Sequence, residues 1–236
     1  MLNTYSEEIQ AKGFVVIPEV FDSKGITHIV DQLRDIPRSA STKQRGRSYF
    51  GIRNLLKVVP SLHDLATSPS IRSLVDPIAG PRARVVRGVF FDKTPEANWK
   101  VPWHQDLTIA VRQKKEVANF TSWSLKADVI HVQPPSSVLE EMLTLRIHLD
   151  ATNEDGGALK VIPGSHKCGR LNVDDIQKIR QETKAIVCSA AEGDVLAMRP
   201  LLLHSSSVSQ NASHRRVIHL EFCSAELPGG LQWCLT

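Results

Sequence analysis

Three residues carry the first chemical suggestion in this chain: His104, Asp106 and His204. His104 and Asp106 stand one residue apart in Pro102-Trp103-His104-Gln105-Asp106. On an extended segment both side chains therefore leave the same face and can reach one cation, while Gln105 points away. His204 closes the apolar run Leu201-Leu202-Leu203 and opens the polar stretch HSSSVSQN, far enough downstream to sit on another strand. Two imidazoles and one carboxylate on one face of an iron leave positions open for a bidentate co-substrate and O2. An HxD pair alone is weak evidence; joined to a distant strand-terminal histidine it is more specific.

A short turn beyond His204 lies Arg215. A keto acid such as 2-oxoglutarate binds iron through one end and leaves a second carboxylate in a mostly dry barrel. A guanidinium offers that carboxylate a planar, two-pronged partner. Arg216 competes for the role, and strand parity chooses between them. In RRVIHLEF, Ile218, Leu220 and Phe222 share an apolar face, whereas Arg215, Val217, His219 and Glu221 share the other. Arg215 is therefore the choice. By the same parity Arg146, in LTLRIHLD, points inward with Thr144 and His148. It serves either a second contact to the co-substrate or substrate, or an internal ion pair with a carboxylate such as Glu221, since a buried charge must find a partner.

These residues need elements to hold them. The first third reads as mainly helical bracing, over about residues 1–80, with a short strand at GFVVIP. Asp22-Ser23 caps one helix, and Ser68 with Pro69 starts another that stops at Gly80. From about residue 83 to 223 short β-rich runs follow: RARVVRGVFFD, LTLRIHLD, ALKVIP, DVLAMRP, PLLLH and RRVIHLEF. EDGG at 154–157 is a hairpin signal. Residues 107–142 show little pattern and are expected to form a lid or an insertion. Helices first and many strands afterwards imply a mainly β fold, a jelly roll braced by helices on one face, built as one domain over 1–236.

With 42% hydrophobic and 23% charged residues, the composition is that of an ordinary globular protein rather than a disordered chain. A net charge of +4 is too small to argue for nucleic acid and suits an anionic small molecule. Lys43, Arg45, Arg47, Arg53 and Lys57 make a basic stretch, either a solvated loop or a contact for such a substrate. The four cysteines lack CxxC spacing, which points to reduced thiols. The N-terminus does not read as a secretory signal, and no apolar run approaches the ~20 residues of a membrane span. The expectation is a cytoplasmic protein that engages neither membrane nor nucleic acid; oligomeric state is not legible.

The chain resembles the phytanoyl-CoA dioxygenase family. The resemblance runs from GFVVIPEVF to RRVIHLEF and rests on WHQD at 103–106, DGGALKVIPGSHKCG at 155–169, His204, and the turn leading to Arg215. It implies a double-stranded β-helix, Fe(II) held by His104, Asp106 and His204, and 2-oxoglutarate held by Arg215, with O2 as oxidant. Arg146 matches a second co-substrate position, and Arg87 is the nearest match to a third, on the strand before HxD. The implied reaction hydroxylates an unactivated C–H of a small-molecule metabolite and releases succinate and CO2. Two rivals come from other classes. A non-catalytic cupin-like binding module has no need of Arg215. A zinc hydrolase needs a general base beside the metal, and no HExxH is present.

Overall fold

In a computed structural model the chain is described over residues 2–34, 36, 42–45, 48–210 and 214–235; Arg47 and Asn211 lie outside these, as do the side chains of Lys43 and Arg45. Among the described residues fourteen strands and seven α-helices follow in chain order. The helices are α1 (Leu2–Lys12), α2 (Ser23–Gln32), α3 (Leu55–Val58), α4 (Leu62–Thr67), α5 (Pro69–Ala79), α6 (Ser136–Glu140) and α7 (Val173–Glu182). The first seven strands are β1 (Phe14–Ile17), β2 (Thr42–Arg45), β3 (Ser48–Ile52), β4 (Arg84–Lys93), β5 (Val101–His104), β6 (Ile109–Val111) and β7 (Thr121–Lys126). The rest are β8 (Val129–Gln133), β9 (Leu143–His148), β10 (Leu159–Val161), β11 (Ile186–Cys188), β12 (Val195–Met198), β13 (His204–Ser206) and β14 (Arg215–Cys223).

A seven-stranded sheet in the order β1-β12-β9-β14-β4-β3-β2 faces a four-stranded sheet in the order β11-β10-β13-β5. This is the jelly roll expected from the strand pattern. The alternation along β9 and β14 sorts the faces. Leu145, Ile147, Ile218 and Leu220 join Ile26, Ile29, Leu62, Ile71 and Val75 in the main core, so the helices cover the outer face of the large sheet. The caps are those the sequence announced: the Asp22 side chain accepts from Gly25 N–H, and Ser68 Oγ accepts from Ile71 N–H.

Two segments differ from expectation, and a third has more regular structure than its sequence pattern indicated. EDGG does not close a hairpin: it turns the chain out of β9 in the large sheet into β10 in the small one. Leu201–Leu203 form no strand; β13 begins at His204 itself. Leu201 and Leu202 bury in two different apolar clusters, so tertiary packing, not strand alternation, explains this triplet. Residues 107–142 contain a third sheet, β6-β8-β7, and α6. Its apolar side packs with Trp233 from the C-terminal segment, a partner too distant in sequence for local pattern to reveal. Among the described residues no helix is long and apolar enough to cross a membrane.

Candidate metal centre

β5 and β13 are neighbours in the small sheet, and their pairing sets His104 directly across from His204. Their ring centroids lie 4.2 Å apart. Asp106 follows β5 and is anchored by its N–H, which donates to the Pro200 carbonyl at 2.9 Å. Its carboxylate approaches both Nε2 atoms, at 3.7 Å from His104 and 3.8 Å from His204. One ligand atom from each of the three residues lies within 4.8 Å of the others.

The backbone selects the tautomer that a metal requires. His104 Nδ1 lies 2.8 Å from the Pro102 carbonyl and His204 Nδ1 lies 2.8 Å from the Leu202 carbonyl. A carbonyl can only accept, so each Nδ1 carries its proton and each Nε2 presents a lone pair beside Asp106. Burial holds the His204 imidazole down to about 4, against the opposing pull of Asp106. Burial pushes the Asp106 carboxyl up, but His204, His219, His104 and Arg87 outweigh it and hold the group at about 2. A neutral imidazole at His204 and an ionised carboxylate at Asp106 are the donor forms a divalent cation takes.

Gln105, between the ligands, faces the other way. Its amide donates to the carbonyls of Gly169 and Leu201 and accepts from Leu171 N–H. Ser165 Oγ accepts from Leu203 N–H just before His204. The DGGALKVIPGSHKCG stretch thus braces both ligand-bearing segments. Gly157 does a further job. Its φ is +72° and a Cβ there would meet Ser207 O at 2.7 Å, so only glycine fits, and its carbonyl accepts from Arg215 Nη1 at 2.7 Å.

A cavity of about 220 Å³ opens beside the triad, walled by Phe91, Trp99 and Leu159. The inward faces of β4, β14 and β9 stack in register along it. Lys93 pairs with Arg215; Phe91 with Val217 and His148; Val89 with His219 and Arg146; and Arg87 with Glu221 and Thr144. Arg215, Arg146 and His219 all line the cavity, whereas Arg216 turns outward and chelates Asp150 through Nε and Nη2 at 2.9 and 2.6 Å. Arg146 Nη1 donates to His219 Nδ1, and His219 Nε2 then donates to Glu221. Glu221 also accepts from Arg87 at 2.9 Å, so its ion pair is with Arg87 rather than Arg146. Arg87 lines a neighbouring cavity instead.

Sequence reasoning missed Lys93. It is almost fully buried, donates to Ser206 Oγ and the Ser207 carbonyl, and sits 5.7 Å from the centroid of the Trp99 ring. Inward parity with Phe91 and Val89 was the available signal. Burial, Arg215 and Arg146 lower Lys93 to about 7; burial and Arg146 lower Arg215 to about 9 despite Asp92. Nε of Arg215 and of Arg146 are buried and, among the described residues, without a hydrogen-bond partner. Crowded cations with unspent donors are a site for a small anion. Trp99 walls the same cavity, while Trp103 lies against Arg180, 5.4 Å from ring centroid to guanidinium carbon.

A jelly roll with two histidines and a carboxylate between its sheets, beside a cationic recess, has the architecture of the non-haem iron oxygenases. The sequence profile of phytanoyl-CoA dioxygenase (PhyH) matches residues 9–217, and the chain belongs to that family. No curated protein matches the sequence significantly. Among solved structures, AviO1 from Streptomyces viridochromogenes Tue57 superposes with a TM-score of 0.68 at 20% identity, covering 97% of each chain. The non-heme alpha ketoglutarate dependent carbocyclase SnoK from nogalamycin biosynthesis gives 0.68 at 17% identity, over 94% of this chain and 84% of its own. EctD from S. alaskensis, solved with 2-oxoglutarate and 5-hydroxyectoine, gives 0.72 at 14% identity, over 93% and 74%. At such identities the likeness is one of fold.

Proposed function

We propose that the protein is an Fe(II)- and 2-oxoglutarate-dependent dioxygenase that hydroxylates an unactivated C–H of a small-molecule metabolite. The observation that carries this reading is the pairing of a His-Asp-His donor set with a recess holding Arg215, Arg146 and Lys93. A cupin that only binds metal has no use for three crowded cations, each costly to bury.

Nε2 of His104 and His204 and the carboxylate of Asp106 would hold the iron. Arg215 and Arg146 would take the carboxylate of 2-oxoglutarate that is left over, through the Nε–H groups that now lack partners. Bound iron with 2-oxoglutarate and O2 supplies the oxidising power, with release of succinate and CO2. The chain's own residues orient and seal. The Arg146–His219–Glu221–Arg87 chain of hydrogen bonds fixes the guanidinium of Arg146, and Phe91 and Trp99 exclude water. Residues 107–142 would cover the opening, with Lys126 at the tip of the β7–β8 hairpin feeling the charge of Arg53 and Arg87.

The test is anaerobic titration with Fe(II) and 2-oxoglutarate. Wild type should develop the metal-to-ligand absorption band and form succinate when O2 is admitted. His104→Ala, Asp106→Ala and His204→Ala should lack both while unfolding at near wild-type temperature. Turnover at the wild-type rate in all three variants would refute the assignment.

A further inference from the structure

A second cavity, of about 470 Å³, shares the Phe91 and Trp99 walls with the metal cavity. That volume is in the range of small-molecule sites. Ile52 and Val89 give it apolar lining, and Arg53 and Arg87 line it as well. Arg53 makes no hydrogen bond or ion pair with any described residue. Nε of Arg87 is buried and also unpartnered among the described residues.

Among the described residues the charges here are unbalanced. Burial and then Arg87 depress Arg53, and burial, Arg53 and Arg87 in turn depress Lys126. Among the described residues the carboxylates within reach are Glu221, already bonded to Arg87 and His219, and Asp106, which the charge of Arg87 also reaches. Repulsion between Arg53 and Arg87 in a partly desolvated wall, with the exposed Lys126 close enough to feel both, is unfavourable unless an anion completes the cluster. A surface lysine-arginine patch would relieve it by pointing into water. Arg53 and Arg87 instead line a concavity whose other walls are mainly aromatic and aliphatic, with Asn98 as a further polar side chain.

We infer that the organic substrate carries a carboxylate or phosphate group, seated between Arg53 and Arg87, and an apolar body that runs past Phe91 and Trp99 toward His104 and Asp106. The inference rests on the proposed function for the direction of the body, and deepens it by naming the substrate class. It also gives the basic stretch of residues 43–57 a role, through Arg53.

Calorimetry on metal-free protein tests this apart from the iron chemistry. The probes are aryl-alkanoates such as 4-phenylbutyrate, their phosphate-ester counterparts, and the matching neutral amides and alcohols. At least one anionic probe should bind saturably in the range below about 10 mM, with its neutral partner weaker by about tenfold or more. Arg53→Gln should weaken the anion about tenfold and leave the neutral compound unchanged; Arg87→Gln should do likewise. Arg215→Gln should leave the anion's affinity as it is. Equal binding of anion and neutral partner, no saturable anion in the panel, or loss with Arg215→Gln but not Arg53→Gln would each overturn the inference. Failure of the Fe(II)·2-oxoglutarate band with intact anion binding would count against the oxygenase reading alone.

Discussion

Arg215 and Arg216 are adjacent in sequence and opposite in use. Arg215 is buried in the recess with one guanidinium nitrogen on the Gly157 carbonyl and another unpartnered. Arg216 forms a two-pronged, half-exposed pair with Asp150. If Arg215 takes the co-substrate, Arg215→Ala removes one partner of a buried charge pair, a loss of about 2–5 kcal/mol, or roughly 30-fold or more in 2-oxoglutarate affinity at 1.4 kcal/mol per decade. Arg215→Lys should restore only part, because it keeps the charge without the fork. Arg216→Ala should leave the affinity nearly unchanged. Titration of the absorption band in the three variants decides; a larger loss with Arg216→Ala would exclude the assignment. Lys93 makes a separate prediction. Its folded-state value is lowered to about 7 from an ordinary 10.5. The folded protein therefore sheds a proton that the unfolded chain keeps between those values, so this residue's penalty is full below pH 7 and is relieved as pH rises to 10.5. The stability of wild type relative to Lys93→Met, from denaturant midpoints of metal-free protein, should rise across that window. A flat difference would mean that Lys93 is charged throughout.

The small third sheet is held by a residue from the other end of the chain. Trp233 is almost fully buried, donates its indole N–H to the Ala225 carbonyl at 3.0 Å, and bridges to Val111. Around it lie Ile109, Phe120 and Val132. Trp233→Ala should cost about 3–5 kcal/mol, the usual range for emptying a buried aromatic site. Hydrogen exchange should accelerate first in β6 and β8, with β9 and β14 spared. Loss confined to the global transition, with β6 and β8 unchanged relative to β14, would show that the sheet is not clamped this way. β7 should exchange fast even in wild type, because most of its residues are exposed.

Across the whole molecule, what could be read in advance depended on the range of the interaction that fixes each part. Local periodicity and caps sufficed for α2, α5, β4, β9 and β14, and parity along β14 placed Arg215 and Arg216 on opposite faces. The HxD spacing needed only the geometry of an extended segment. What stayed hidden was set by distant partners. The leucines before His204 are divided between two clusters, Glu221 goes to Arg87 because the β4–β14 register puts them side by side, and the sheet within residues 109–133 packs against the distant Trp233. Lys93 was overlooked because an inward lysine contradicts the expectation that lysine seeks water; three hydroxyl, carbonyl and aromatic neighbours supply the reason it does not.

β1 adds a feature of another kind. It completes the large sheet by pairing Phe14–Ile17 with Val195–Met198, and Phe21 N–H donates to the Gly193 carbonyl where a Cβ would strike Phe21 O. β1 is thus synthesised well before the strand that it pairs with. Loop closure on that scale is slow to gain its reward, and it places β1 docking among the last steps of folding. Until then β12 presents a bare hydrogen-bonding edge, the kind of edge along which nascent chains join one another. Docking of β1 moves that edge outward onto a strand of only four residues, and a very short edge strand offers little to pair with.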